Sequence, residues 1–259
     1  SAVSSTTSSA SPKNGPQSRA NQKPHPEASD QYSTAAAFGG CLHRKRLRSR
    51  FLEGGAAAMP DYELLELLLF GAIPRADVKP LARVLMDRFG GLAGVITAPP
   101  AQLMQVEGVG ETVLTALKLA EAVALRLTRA RVLNRPVISS WEALLDYCHT
   151  AMAHREVEQA RILYLDRKNC LIADEETGQG TVDHVPLYPR EVLKRALELQ
   201  ASALILVHNH PSGDPTPSAQ DIALTERIRQ GAEALSLVLH DHLVIGKERE
   251  FSFRAEGLL

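Results

Sequence analysis

The chain has 259 residues, 44% of them hydrophobic and 23% charged, with a formal net charge of −1 at pH 7. That composition supports one or two buried cores, and the charge balance gives no reason to assign nucleic acid or a membrane surface as partner of the whole chain. The cysteines Cys41, Cys148 and Cys170 form no CxxC pair, which reads as a reducing cytosol, and no apolar run or N-terminal signal pattern marks a membrane span or export.

Residues 1–40 are Ser, Pro, Ala, Asn and Gln with few large apolar side chains. Such a segment cannot bury enough surface to offset its ordering entropy, so it is expected to be a disordered tail. "HRKRLRSRF" follows, and it reads either as a solvated basic helix start or as a phosphate-contacting arm. Residues 41–130 then carry helical spacing. "DYELLELLLF" sets Leu64, Leu65, Leu68 and Leu69 on one side, and "DVKPLARVLMDRFGG" predicts a second helix ending at Gly90-Gly91. Two more helices are joined at "EGVG". This segment resembles a helix-hairpin-helix domain. Gly108 and Gly110 permit a tight turn, and the next helix start offers backbone N–H groups to a phosphate, so non-specific DNA binding is one expectation. Glu107 and Glu111 flank the turn and Lys118 is the nearby cation, which favours a packing hairpin or a protein-docking module instead.

Residues 131–259 change character. "RPVISSWEALLDYC" predicts a helix capped by Ser139 or Ser140 with Glu142 and ending near Ala153. "ARILYLD", "CLIADEETG" and "TVDHVPL" read as short strands, "YPREVLKRALELQ" as a helix, and "ASALILVHNH" as a strand buried on both faces. A helix over "SAQDIALTERIRQGAEAL" and a strand over "LVLHDHLVIG" complete an α/β layered domain.

The informative stretch is "HNHPSGDPTPSAQD", residues 208–221. Alternation along a strand projects His208 and His210 to one face and Asn209 to the other. Pro211, Gly213 and Pro215 turn the chain, and Asp221 on the first turn of the next helix can swing back toward the histidines. Two imidazoles and a carboxylate are the donor set of a catalytic zinc with a fourth position left for water. "SAQD" is also a capping box, with Ser218 at the N-cap and Asp221 at N3, and that reading does not exclude the other.

The same stretch resembles the JAMM (MPN+) metalloprotease motif, H-x-H-P followed by S-x-x-D. With "YPREVLKRALELQ" before it and "HDHLVIG" after it, most of residues 42–259 is similar to the RadC family. The resemblance implies a JAB-like mixed sheet flanked by helices, one Zn2+, and hydrolysis of a peptide or isopeptide bond in a peptide or protein substrate by zinc-activated water. It implies His208, His210 and Asp221 as metal ligands, Ser218 as the hydroxyl that bonds the oxyanion, and Glu158 as the group that handles the water's proton. Glu156 is the runner-up and Glu191 a weaker alternative. Many relatives carry an aromatic residue where this chain has Ala160, a departure that bears on packing near the site. A DNA-associated repair factor is the alternative function. A zinc deaminase is disfavoured, because no P-C-x-x-C accompanies the histidines.

Near the motif, Asp241 and His242 should face opposite sides of their strand, whereas His240 and His242 should share a face. That makes a second metal conceivable and an orienting role for one of these groups preferable. His184 reads as a simple loop histidine, with a place in the lining of the substrate groove as the alternative. Oligomeric state is left open by the sequence.

Overall fold

The computed structural model describes residues 42–133, 135–179 and 187–259. The expected disordered tail over 1–40, and the expected strand in "TVDHVPL" with His184 up to its last residue, lie outside them.

Helix α1, residues 42–54, is the basic stretch. Its Leu47 is fully buried, but its cations are what dock it. The Arg44 guanidinium donates to the carbonyls of Phe70, Ile73 and Ala76 at 3.3, 2.7 and 2.5 Å and lies 4.4 Å from the Phe70 ring centroid. These are carbonyls at and beyond the C-terminus of α2 (Asp61–Ala72), where a helix leaves acceptors unpaired and favours positive charge. Arg50 pairs with Glu63 at 2.9 Å, and His43 with the buried Glu66 at 2.7 Å. Half of the supposed phosphate arm is thus engaged in holding α2, while Lys45, Arg46 and Arg48 stay exposed.

Helix α3 (Lys79–Phe89) ends as expected at Gly90, whose φ of 73° only a residue without Cβ adopts freely. Short helices α4 (Leu92–Thr97) and α5 (Pro100–Leu103) follow, then a turn and the long α6 (Glu111–Val132). Leu65, Leu69, Leu85, Val95, Leu103 and Leu117 form the core of this helical part. Helix α6 runs past the expected boundary at 130 and plants Val132 in the core of the α/β part.

Helix α7 (Trp141–Met152) is not capped as the sequence suggests. Ser139 and Ser140 donate backward to Pro136 O at 2.9 and 3.0 Å, closing a 3-10 turn ahead of the helix. Strands β1 (Gln159–Leu165), β2 (Leu171–Gln179), β3 (Ala203–Asn209), β4 (Val238–Ile245) and β5 (Glu250–Ser252) form one mixed sheet in the order β2-β1-β3-β4-β5. β3 and β4 are parallel, connected through α9 (Ala219–Ala234), and the other pairs are antiparallel. Leu163, Ile205, Val207 and Leu243 pack beneath α7, while Ile162, Tyr164, Leu204 and Leu206 pack beneath α9 and α8 (Pro189–Glu198). β3 is buried along its whole length, as its unbroken apolar run predicts. The expected α/β class, a mixed sheet flanked by helices behind a helical N-terminal part, is the architecture found.

The β3–β4 ladder contains one irregularity. Leu204 pairs with Leu239, but Ile205 pairs with Asp241, so His240 is an extra residue in a bulge.

Arg44→Ala should destabilise the helical part by about 1 kcal/mol, since bonds to a charged donor are lost from partly buried carbonyls. Arg44→Lys should rescue little, because an ammonium lacks the planar fork that reaches several carbonyls at once. Urea unfolding of the three proteins measures both.

Candidate metal centre

The site lies where β3 ends, between β1 and β4. His208 is still in the strand and 4% exposed, and it stands opposite Ala160 of β1 and Val244 of β4. The main-chain N–H of His210 donates to Ile245 O at 3.0 Å, which prolongs the extended register by one residue. The chain then turns through Gly213, at φ +92°. This loop rests on the β4–β5 turn, where a Cβ on Gly246 would lie 2.4 Å from Gly213 O and 2.8 Å from Arg249 O. Only glycine fits at 246, and that close approach fixes the depth of the loop.

The donor atoms converge. His208 Nε2 is 3.1 Å from His210 Nε2 and 3.5 Å from Asp221 Oδ1, and His210 Nε2 is 3.7 Å from Asp221 Oδ2. A tetrahedral ion bound at about 2.0–2.1 Å would hold its donors about 3.3–3.4 Å apart. Among the described residues this is the cluster of His, Cys, Asp and Glu side chains with metal-ligating spacing.

The proton positions also fit. His210 Nδ1 is 2.8 Å from Asp214 O. A carbonyl can only accept, so Nδ1 carries the proton and Nε2 of the neutral ring presents a lone pair. Burial pushes His208 down to about 4, and the buried His242 is driven well below the usual imidazole range by the same desolvation. Both rings are therefore neutral at pH 7. His210 is held above its ordinary value, first by its hydrogen bond to Asp221. Burial pushes the Asp221 carboxyl up, but His210, His208 and Ser218 outweigh it and hold the group well below the usual range. A proton on His210 and a cation among the three donors thus compete for one space.

The capping box is formed. Ser218 N and Ser218 Oγ both donate to Asp221 Oδ2 at 2.7 Å, and Asp221 N donates to Ser218 Oγ at 3.2 Å. Capping thereby locks the carboxylate rotamer and turns Oδ1 toward His208, so one motif does two jobs.

Glu158 directly precedes β1 and lines a cavity of about 390 Å³ together with His208, Asp221 and His242. Its charge contributes to raising the His210 imidazole. Glu156 accepts from Gln102 of α5 at 2.5 Å and faces a different cleft, and Glu191, paired with Arg190 at 3.0 Å, is not in the cavity wall. Sequence reasoning left unused the residue that ties Glu158 to the histidines. Asn209 is 1% exposed. Its Oδ1 accepts from Gln159 N at 2.9 Å, and its amide donates to Arg155 O and Val157 O at 3.4 and 3.3 Å. It clamps the backbone on both sides of Glu158.

His240 and His242 do not share a face, contrary to the period-two reading. The bulge turns His240 to the α7 side, where it meets Asn169 at 2.6 Å, and leaves His242 2.8 Å from His208 Nδ1. A second metal between them is thereby excluded, and the orienting contact falls to His242. Asp241 does face away from His242, accepting from Ser252 Oγ and Arg254 N at 2.5 and 3.0 Å. Thr225 was missed. It stands four residues after Asp221 on the same face of α9, which is the signal available in the sequence.

At the N-terminal turn, Gly108 adopts φ +90° and Gly110 begins α6 without a side-chain cap. Lys118 donates to Ile96 O at 2.9 Å and pairs with Glu121 at 2.9 Å.

Two family models match the chain: the RadC-like JAB domain over residues 138–258 and the UPF0758 N-terminal domain over residues 41–115. A UPF0758 protein of Rhodobacter capsulatus is 74% identical over 213 residues, covering 82% of this chain and 100% of the relative. A UPF0758 protein of Ruegeria pomeroyi is 71% identical over 217 residues, covering 84% of this chain and 97% of the relative.

His208→Ala should remain folded, since Ala160 and Val244 still close the strand around it, but should carry no stoichiometric zinc. Elemental analysis beside the circular dichroism spectrum decides this, and retained zinc would remove His208 from the ligand set.

Proposed function

The chain belongs to the UPF0758 family and carries a RadC-like JAB domain, and from that premise we propose that it is a zinc-dependent hydrolase of JAMM type, acting on a peptide or isopeptide bond. The observation that carries the reading is the convergence of His208 Nε2, His210 Nε2 and the Asp221 carboxylate beside a cavity that Glu158 also lines. His208, His210 and Asp221 would hold the ion. When bound, zinc supplies Lewis acidity and brings the pKa of water from 15.7 to about 7.

The remaining work belongs to the chain's own groups. Glu158 takes the proton of the attacking water and returns it to the leaving amine, a role worth about 10²–10⁴-fold in rate. Ser218 has one hydroxyl proton, now directed at Asp221 Oδ2, and in this reading it is offered to the substrate oxygen as charge gathers there. Re-aiming that proton converts a helix cap into an oxyanion donor, while Ser218 N continues to hold the carboxylate. Leu187, Tyr188 and Leu224 give the cavity apolar walls, and Gln220 and Arg227 add polar groups, a lining suited to a peptide. No helix among the described residues is long and apolar enough to cross a membrane. We place the protein in a reducing cytosol, in keeping with the free Cys148 and Cys170.

Glu158→Ala should keep zinc and lose about 10²–10⁴-fold in turnover of a peptide or isopeptide reporter. Retained activity would remove Glu158 as the base. Asn209→Asp, which sets a carboxylate against two carbonyls, should keep zinc and lose turnover through displacement of Glu158.

The second reading is non-specific DNA binding through the Gly108–Gly110 turn. The uncapped N-terminus of α6 favours it, and the engagement of Lys118 with Ile96 and Glu121 counts against it. Salt-dependent retention of a labelled duplex by the full-length protein would support it, and no binding at low salt would remove it.

A further inference from the structure

The hydrogen bonds behind the histidines have a direction. Thr225 Oγ1 lies 2.6 Å from Asp221 O, and a carbonyl can only accept, so the single hydroxyl proton of Thr225 is committed there. Thr225 Oγ1 also lies 2.5 Å from His242 Nδ1. With its proton already used, the hydroxyl can only accept, so His242 Nδ1 bears the ring proton. His242 Nε2 is then bare, and it faces His208 Nδ1 at 2.8 Å. His208 must donate across that gap, which leaves its own Nε2 without a proton, facing His210 and Asp221.

We propose that Thr225 and His242 are positioning residues that set the tautomer of His208, transmitting the fixed polarity of the Asp221 carbonyl through two hydrogen bonds to the metal-facing nitrogen. The proposal rests on the metal-centre reading for its purpose but not for its geometry. The same residue, Asp221, supplies the carboxylate on one side and the carbonyl that polarises the relay on the other. Turning the relay around would require Thr225 to release its carbonyl, and it would place a proton on His208 Nε2, where a cation is meant to sit. The relay has no slack. Thr225 is 2% and His242 2% exposed, and the His242 ring is stacked on Phe253 with centroids 4.7 Å apart, which holds the ring in the plane the relay needs. In other metal proteins, loss of such an outer partner costs about 10–100-fold in metal affinity.

The test uses the full-length chain labelled with ¹⁵N-histidine, first stripped of metal. Long-range ¹H–¹⁵N spectra read which ring nitrogen of His208 and His242 is protonated. The expected result is Nδ1–H on both rings in the unsubstituted protein. Thr225→Val should move the proton to Nε2 on both rings and weaken zinc binding about 10–100-fold in chelator competition, and Thr225→Ser should restore both readings. A protonated His208 Nε2 in the unsubstituted, metal-free protein would overturn the proposal, and so would an unchanged tautomer and affinity in Thr225→Val. If Thr225→Val fails to fold, the unsubstituted spectrum alone still decides. If the unsubstituted protein binds no zinc, the metal-centre reading fails, while the tautomer measurement still supports or overturns the relay.

Discussion

Three acceptor groups face one another across 3.1, 3.5 and 3.7 Å at the end of β3. Aligned lone pairs repel, and at partly buried positions water screens them little. Such a cluster is stable only with positive charge among its members, either a shared proton or a cation. Much of the surrounding structure serves to keep the cluster acceptor-rich. Asp214 O draws the His210 proton to Nδ1, Ser218 bonds the second oxygen of Asp221, and burial keeps His208 neutral. Each contact removes a way for the cluster to relax other than by taking up positive charge.

The fold delivers these contacts through one connection. β3 and β4 are parallel, so the chain must cross over between them, and α9 is that crossover. Its first turn therefore opens beside the carboxyl end of β3, where strands of α/β sheets commonly present their ligands. Asp221 comes from the helix and the histidines from the strand end and the loop after it, joined by a turn whose depth Gly246 sets from below. β1, antiparallel on the other side of β3, begins where β3 ends, which brings Glu158 to the same edge. Asn209, projecting opposite to its flanking histidines, holds that beginning in place. One tripeptide thus reaches both halves of the candidate site, with the two histidines facing Asp221 and the middle Asn209 holding the backbone on either side of Glu158.

Much of this was legible because it is local. The helical periodicities, the buried run over Ala203–Val207, and the spacing from His208 to Asp221 depend on residues close in sequence. What failed was long-range or hidden in register. The period-two argument placed His240 with His242 and was defeated by a single extra residue in the ladder, which no composition rule announces. Thr225 carries no mark in the sequence beyond its spacing from Asp221, since its partner His242 lies on a different element. The basic stretch at 43–50 does open a helix, as one reading of it expects, but the carbonyls that capture Arg44 are not visible in any side-chain pattern. Ser139 and Ser140 had the composition of a cap but met Pro136 O first.

The two glutamates before β1 show how placement, more than residue type, divides labour. Glu156 and Glu158 are two residues apart and chemically alike. Glu156 accepts from Gln102 of the helical part, and its neighbour Arg155 reaches Glu121 of α6 at 3.2 Å. With Val132 of α6 buried beneath the sheet, these contacts join the two parts of the chain at the segment that leads into β1. Glu158 lies beyond the Asn209 clamp, in the wall of the cavity. The helical part therefore grips the strand entrance one step before the proposed base. The cleft that Glu156 shares with Gln102 is also lined by Pro211, next to His210, so the helical part borders both the entrance to β1 and the histidine loop. The candidate donors His208 and Asp221 are held by the sheet and its crossover helix, whereas the chain entering Glu158 is also tied to the helical part.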